Sequence, residues 1–236
     1  MCLVVLNAPW SQSASGGELA PMLPIVDGGA INLECEEYCG VFRSPTGYSN
    51  DTGFAWQYSG VSSGVTGAFA ECFHFDAPVT VCSIALNLSQ LGQYGDQRCE
   101  GFIWADASGQ PGSVLAMDLE TIFGFVETWP YVSCHFLRDF DTCVQGDVWI
   151  GARGVWAGDV AGWFVAADLE SGNGCPMTNV APGIGYPSGW QPVSEIWQST
   201  ASLGIWAIII EEPCILSPTY QSSWGRIKSL YRVLEK

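Results

Sequence analysis

Few residues in this sequence are spaced for chemistry. Gly60-Val-Ser-Ser-Gly64 fits the G-x-S-x-G pattern of a nucleophile elbow, which makes Ser62 the candidate nucleophile. An elbow needs a strand before the serine and a helix after it. Val65-Thr-Gly67 follows instead and is poor helix material, so a Gly/Ser loop is the expectation. His74 and His135, the two histidines of the chain, are the side chains suited to general-base work near neutral pH. Both lie between aromatic residues in strand-like runs, which favours a surface or hydrogen-bonded core histidine over a base. Glycosidase chemistry needs two carboxyl groups across one sugar bond. Glu34, Glu36, Glu37, Asp139, Asp141, Asp159, Asp168 and Glu195 are the candidates, and their spacing selects no pair.

Calcium takes hard oxygen ligands, often from loops. Asp139 and Asp141 form one such group, and the loop carrying Asp168 and Asn173 forms another, so structural calcium is the one cofactor the residues suggest. No EF-hand pattern is present. Trp129, Trp156, Trp163, Trp190 and Trp197 lie in or beside Gly/Pro-rich segments. Exposed flat rings of this kind stack on sugar faces, whereas buried ones fill a core.

The elements that must hold these groups read as strands. Ala68-Phe-Ala-Glu-Cys-Phe-His-Phe75 partly alternates, with Phe73 and Phe75 on one face and His74 and Asp76 on the other. Thr80 to Leu88, Glu100 to Ala105, Tyr131 to Leu137, Gly146 to Gly151, Gly162 to Ala167 and Leu203 to Ile210 follow as β-rich runs. The last is almost wholly apolar, as a strand buried on both faces is. Residues 113–122 are read as carrying a short turn. Many strands with Gly and Pro between them point to an all-β, antiparallel β-sandwich, jelly-roll-like, over residues 30–213. Residues 214–236 are a linker and tail in which Trp224, Ile227, Leu230, Tyr231 and Leu234 recur at helical spacing, predicting a short amphipathic helix.

The net charge of −16 repels phosphate backbones, which argues against nucleic acid as a partner. Arg226, Lys228, Arg232 and Lys236, half of the eight basic residues, sit in the tail. An acidic body with a basic tail suggests docking, on its own domain or on a neighbour. Ten cysteines against two histidines favour disulfides over a structural metal, and hence an oxidising compartment. Cys72–Cys82 and Cys134–Cys143 are the expected pairs, as cross-strand bridges of two hairpins turning at Asp76-Ala-Pro78 and Arg138-Asp-Phe-Asp141. Residues 1–20 resemble the end of a signal peptide without its basic region, and no run is long and apolar enough to span a bilayer as a helix.

Gly162-Trp-Phe-Val-Ala-Ala-Asp-Leu169, the Gly174 to Trp190 stretch, and the ending Ser223-Trp-Gly-Arg-Ile-Lys-Ser-Leu-Tyr-Arg232 resemble largely uncharacterised secreted β-sandwich proteins encoded in environmental bacterial genomes. That resemblance implies export and a sandwich fold, and it implies no reaction. The expected function is therefore a secreted, non-catalytic recognition module, binding a polysaccharide or cell-surface glycan through Trp129, Trp156, Trp163, Trp190 and Trp197. A structural subunit of an extracellular assembly, self-associating through the tail, comes second. A polysaccharide hydrolase or lyase comes third.

Overall fold

The computed structural model describes residues 41–43, 54–56, 65–92, 98–128, 131–156, 162–169, 174–183, 187–196, 200–212 and 214–216. The expected signal-peptide-like segment and the amphipathic tail lie outside these residues, as do Ser62, Glu34, Glu36, Glu37, Asp159, Asn173, Trp129 and Trp197. Among these residues twelve strands are formed: β1 (Val41–Arg43), β2 (Phe54–Trp56), β3 (Val65–Leu91), β4 (Glu100–Asp106), β5 (Pro111–Asp118), β6 (Ser133–Leu137), β7 (Thr142–Trp156), β8 (Gly162–Asp168), β9 (Met177–Val180), β10 (Gly189–Pro192), β11 (Ser202–Leu203) and β12 (Ile205–Ile210). The helical content among the described residues is one turn, α1 (Val193–Ile196). The protein is thus all-β, and its strand pairs are antiparallel except at Trp156–Trp163 and an isolated bridge, Gln90–Thr128.

The organising element is β3, 27 residues long. One of its edges carries β7 along Val65–Val81 and β6 along Ile84–Leu88. The other carries β9, β12 and β8 in turn. Two expected hairpins are therefore straight runs. Asp76, Ala77 and Pro78 do not turn the chain; they bulge opposite Gln145, whose Nε2 donates to the Asp76 carbonyl at 3.1 Å. Proline lacks the N–H that a central ladder position needs, and a bulge accommodates that loss. Likewise Arg138–Asp141 is a jog between two collinear strands, both paired with β3. Asp139 (φ 67°) and Asp141 (φ 38°) adopt left-handed backbone there, which short polar side chains tolerate best after glycine. The jog drives Phe140 between them into the core.

These geometries correct the expected disulfides. Cys72 and Cys82 lie on one continuous strand, and Cys134 and Cys143 on one collinear pair of strands. Each couple is separated by on the order of 30 Å of extended chain, far beyond a disulfide's reach. Cys72 bonds Cys175 instead (Cα–Cα 5.6 Å), and Cys143 bonds Cys214 (5.8 Å). Cys82 and Cys134 are disulfide-bonded as well. Cys99 is a free, buried thiol whose pKa burial pushes far up, so it acts as a small core side chain.

The main core lies on one face of the sheet. Phe69, Phe73, Phe75, Val79 and Val81 supply it from odd positions of β3, and Ile84, Leu86 and Leu88 from even ones. The parity changes at Cys82/Ser83, where Ile208 and Ile209 pair with Ser83 and Val81 and one β3 residue is left over. Such a bulge is what lets one strand keep its apolar side inward through a bend. Phe102, Trp104, Trp149 and Met177 form a second cluster with Ala70, and the half-buried Trp190 packs on it. Trp190 of β10 meets Trp104 of β4 edge-to-face at 5.2 Å. Three strands, β9, β3 and β7, separate them in the sheet, a span of roughly 19 Å if flat, so the sheet curls strongly here. Residues 113–118, expected to turn, continue as edge strand β5 after a tight turn at Asp106–Gln110.

Candidate functional site

A groove of about 450 Å³ lies between residues 121–124 on one side and 134–136 with Arg138 and Asp139 on the other. Neither wall is self-supporting. The 118–128 segment has no regular structure beyond single bridges and is fastened by side chains: Asp118 accepts from the Glu120 N–H (2.9 Å) and the Thr121 hydroxyl, and Gln90 Nε2 donates to the Val126 carbonyl (2.6 Å). The opposite wall is β6 and the jog, held by β3 through the Ser83 hydroxyl donating to Leu137 O at 2.7 Å.

The floor is aromatic and continuous with the core. Phe69 meets Trp156 edge-to-face (4.8 Å), Trp156 meets Trp163 (6.4 Å), Trp163 meets Phe123 (5.7 Å), and Phe123 lies 4.6 Å from the His135 ring. Trp156 and Trp163 are 0% exposed. This overturns their expected role: rings inside the core cannot stack on a sugar. Trp190 is half-buried against Trp104. Among the described residues the exposed large aromatic rings are instead Phe125 (62%) and Tyr131 (57%), which follow and precede the two groove walls in the chain.

His135 is partly buried and its pKa is pushed down to about 4 by burial. The ring is therefore neutral at physiological pH, and its Nε2 lies 2.7 Å from Ser133 Oγ. That hydroxyl also accepts the Glu127 N–H at 3.0 Å. A serine donating to a histidine resembles a nucleophile and its base, but a base held near pH 4 abstracts protons poorly at pH 7, and the serine oxygen is already an acceptor. The pair instead locks the floor of the groove to the wall behind it.

His74 lies elsewhere, exposed on β3. Its Nδ1 is 2.6 Å from Asp147 Oδ1 and its Nε2 is 3.2 Å from Asp76 Oδ1. These two carboxylates, Asp147 foremost, raise its pKa. Asp139 and Asp141 are exposed, whereas Asp168 is fully buried on β8 opposite Ser202. Among the described residues no three His, Cys, Asp or Glu side chains converge as metal ligands, so the expected calcium ligands do not form one site there. Glu195 is exposed in α1.

One buried acid escaped the sequence reading. Glu71 is 0% exposed. Its carboxylate accepts the Leu203 N–H through Oε1 and the Cys175 N–H, at 3.2 Å, through Oε2. Burial pushes its pKa up to about 8, against the opposing pull of backbone donors from Leu203, Cys175 and Cys72. Its signal was legible: Glu71 occupies the same odd positions as Phe69 and Phe73, so β alternation places it on the core face.

No known family model matches the chain, and neither a curated protein nor a solved structure is similar to it. No helix among the described residues is long and apolar enough to cross a membrane.

Proposed function

We propose that this chain is a secreted β-sandwich of jelly-roll type that recognises a glycan without cleaving it. The observation that carries the reading is the groove between residues 121–124 and 134–139, floored by Phe123 and His135 and flanked in the chain by the exposed rings of Phe125 and Tyr131. Aromatic faces take the apolar side of a sugar ring, and Arg138 and Asp139 on the groove wall supply a donor and an acceptor for its hydroxyls. Cleavage finds less support, since among the described residues Asp139 is the one carboxylate lining the groove and hydrolysis of a glycosidic bond needs two. The disulfides suit an exported protein. The assembly reading rests on the tail, which lies outside the described residues.

Affinity electrophoresis through gels containing soluble polysaccharides tests this. At least one acidic or neutral polysaccharide should retard the protein. Phe125→Ala and Tyr131→Ala should each weaken binding by about 1–2 kcal/mol, the size of a lost ring contact at an interface. Mobility unchanged in every gel, or retardation indifferent to both substitutions, rejects the groove as a glycan site.

A further inference from the structure

We propose that Glu71 and the Cys72–Cys175 disulfide form a proton-controlled clasp, which holds the β9–β10 hairpin and β11 onto β3 and loosens when the Glu71 carboxyl ionises. The edge of β3 explains why a clasp is needed. Among the described residues, β9 covers it at Gly67–Ala70 and β12 resumes at Thr80–Leu86, leaving a gap in the ladder that begins at Glu71. Two backbone N–H groups point at Glu71 from outside this ladder: that of Cys175, in the segment entering β9, and that of Leu203, in β11, whose register partner is Ala167 of β8. The Glu71 carboxyl accepts both. One side chain thus joins three segments, and the adjacent disulfide covalently ties the first to the second.

The packing beside it is close. A Cβ on Gly174 would come within 2.6 Å of the Ala201 carbonyl and 3.0 Å of both Glu71 Oε2 and Ser202 Cβ. Ser202 Oγ is buried there with no hydrogen-bond partner. Among the described residues, its surroundings hold no cation to receive a carboxylate. Across the ladder, β7 presents Ile150; β11 contributes Ser202 and Leu203; the entering segment contributes Cys175; and β8 brings another buried acid, Asp168, into register with Ser202. A charge on Glu71 would therefore be solvated by backbone dipoles alone, which is why the neutral form is favoured up to about pH 8.

What the clasp covers is aromatic. The hairpin brings Met177 and Trp190 against Phe102, Trp104 and Trp149, three rings at most 9% exposed. Opening would bare this face, with the disulfide keeping the hairpin tethered.

Amide hydrogen exchange on the intact, oxidised protein tests the proposal, with labelling times scaled for the intrinsic pH dependence of exchange. In the opened state the carboxyl titrates near its ordinary 4.5, so the open fraction should rise ~10-fold per pH unit between about pH 5 and 8 and then level off. The amides of Cys175, of residues 177–180 and of residues 201–203 should follow this rise, and should exchange faster than those of β4 throughout. In Glu71→Gln, whose side chain does not ionise, the rise should vanish. Corrected rates in the native protein that do not change with pH, or clasp amides that exchange only together with β4, overturn the proposal without recourse to the variant. A well-folded Glu71→Gln protein that keeps the rise overturns it as well.

Discussion

Glu71 and His135 are both ionisable groups buried in a β-protein, and both are neutral at pH 7 for the same reason: desolvation penalises their charged forms. They differ in how the fold uses them. His135 is held by Ser133, two residues away on the same strand, and faces a groove. Glu71 is held by backbone groups more than a hundred residues away and faces only protein. A locally satisfied polar group can be carried on one strand and placed at a surface, where it shapes a recognition site. A group satisfied at long range is part of the closure of the fold, and its protonation is coupled to that closure.

The comparison is broken most severely at the disulfide beside Glu71. Replacing Cys72 and Cys175 together by serine removes a crosslink spanning 103 residues, which the chain-entropy account values at about 5 kcal/mol. Urea titration should show a loss of this order, and a loss below about 1 kcal/mol would mean that the Glu71 hydrogen bonds hold the hairpin unaided. The pH dependence of stability separates the two buried groups next. The folded-state pKa of Glu71 lies above its unfolded value of 4.5, so between pH 4.5 and about 8 the folded state binds the extra proton. Stability should fall as pH rises through that window, by roughly 5 kcal/mol in all, and Glu71→Gln should abolish the fall.

His135 gives the opposite slope and a smaller one. Its folded-state pKa lies below its ordinary 6.5, so the unfolded state binds the extra proton between pH 6.5 and about 4. The stability present above pH 6.5 should be lost as pH falls through that window, by up to about 3 kcal/mol. His135→Phe should flatten this acid limb and leave the alkaline one intact. Between pH 4.5 and 6.5 the two effects oppose each other, so the native protein should show a shallow profile there, with the Glu71 slope alone visible from pH 6.5 to 8. A His135→Phe profile that superimposes on the native one would show that the ring is solvated.

Much of the strand content was written in local sequence. The runs at Glu100–Asp106, Gly162–Asp168 and Ile205–Ile210 form where alternation or continuous apolarity places them, because those patterns depend only on neighbours in the chain. The oxidised state was equally legible from cysteine abundance. Pairing was not. Pro78 and the Arg138–Asp141 segment carry turn residues, and the same residues suit a bulge or a jog; which one forms depends on whether another strand runs alongside, and here β7 runs past Pro78 and β3 runs past Arg138–Asp141. With the hairpins gone, Cys72 and Cys143 bond Cys175 and Cys214 from other parts of the chain.

The tryptophans and Glu71 divide along the same line. Composition establishes that the chain has enough aromatic residues for both a core and a surface, and alternation along β3 puts Glu71 on the side of Phe69 and Phe73. It takes the curl of the sheet to bury Trp156 and Trp163 while leaving Phe125 and Tyr131 in solvent, since burial is a property of the opposing layer and not of the residue. It likewise takes the approach of β11 and of the segment entering β9 to give a buried carboxyl two backbone donors. The sequence by itself determined the periodicity, charge and redox chemistry of this protein, all of which are summed over neighbours. Tertiary structure alone decided which groups meet, because contacts between residues a hundred positions apart follow from strand order and bulges that no local pattern encodes.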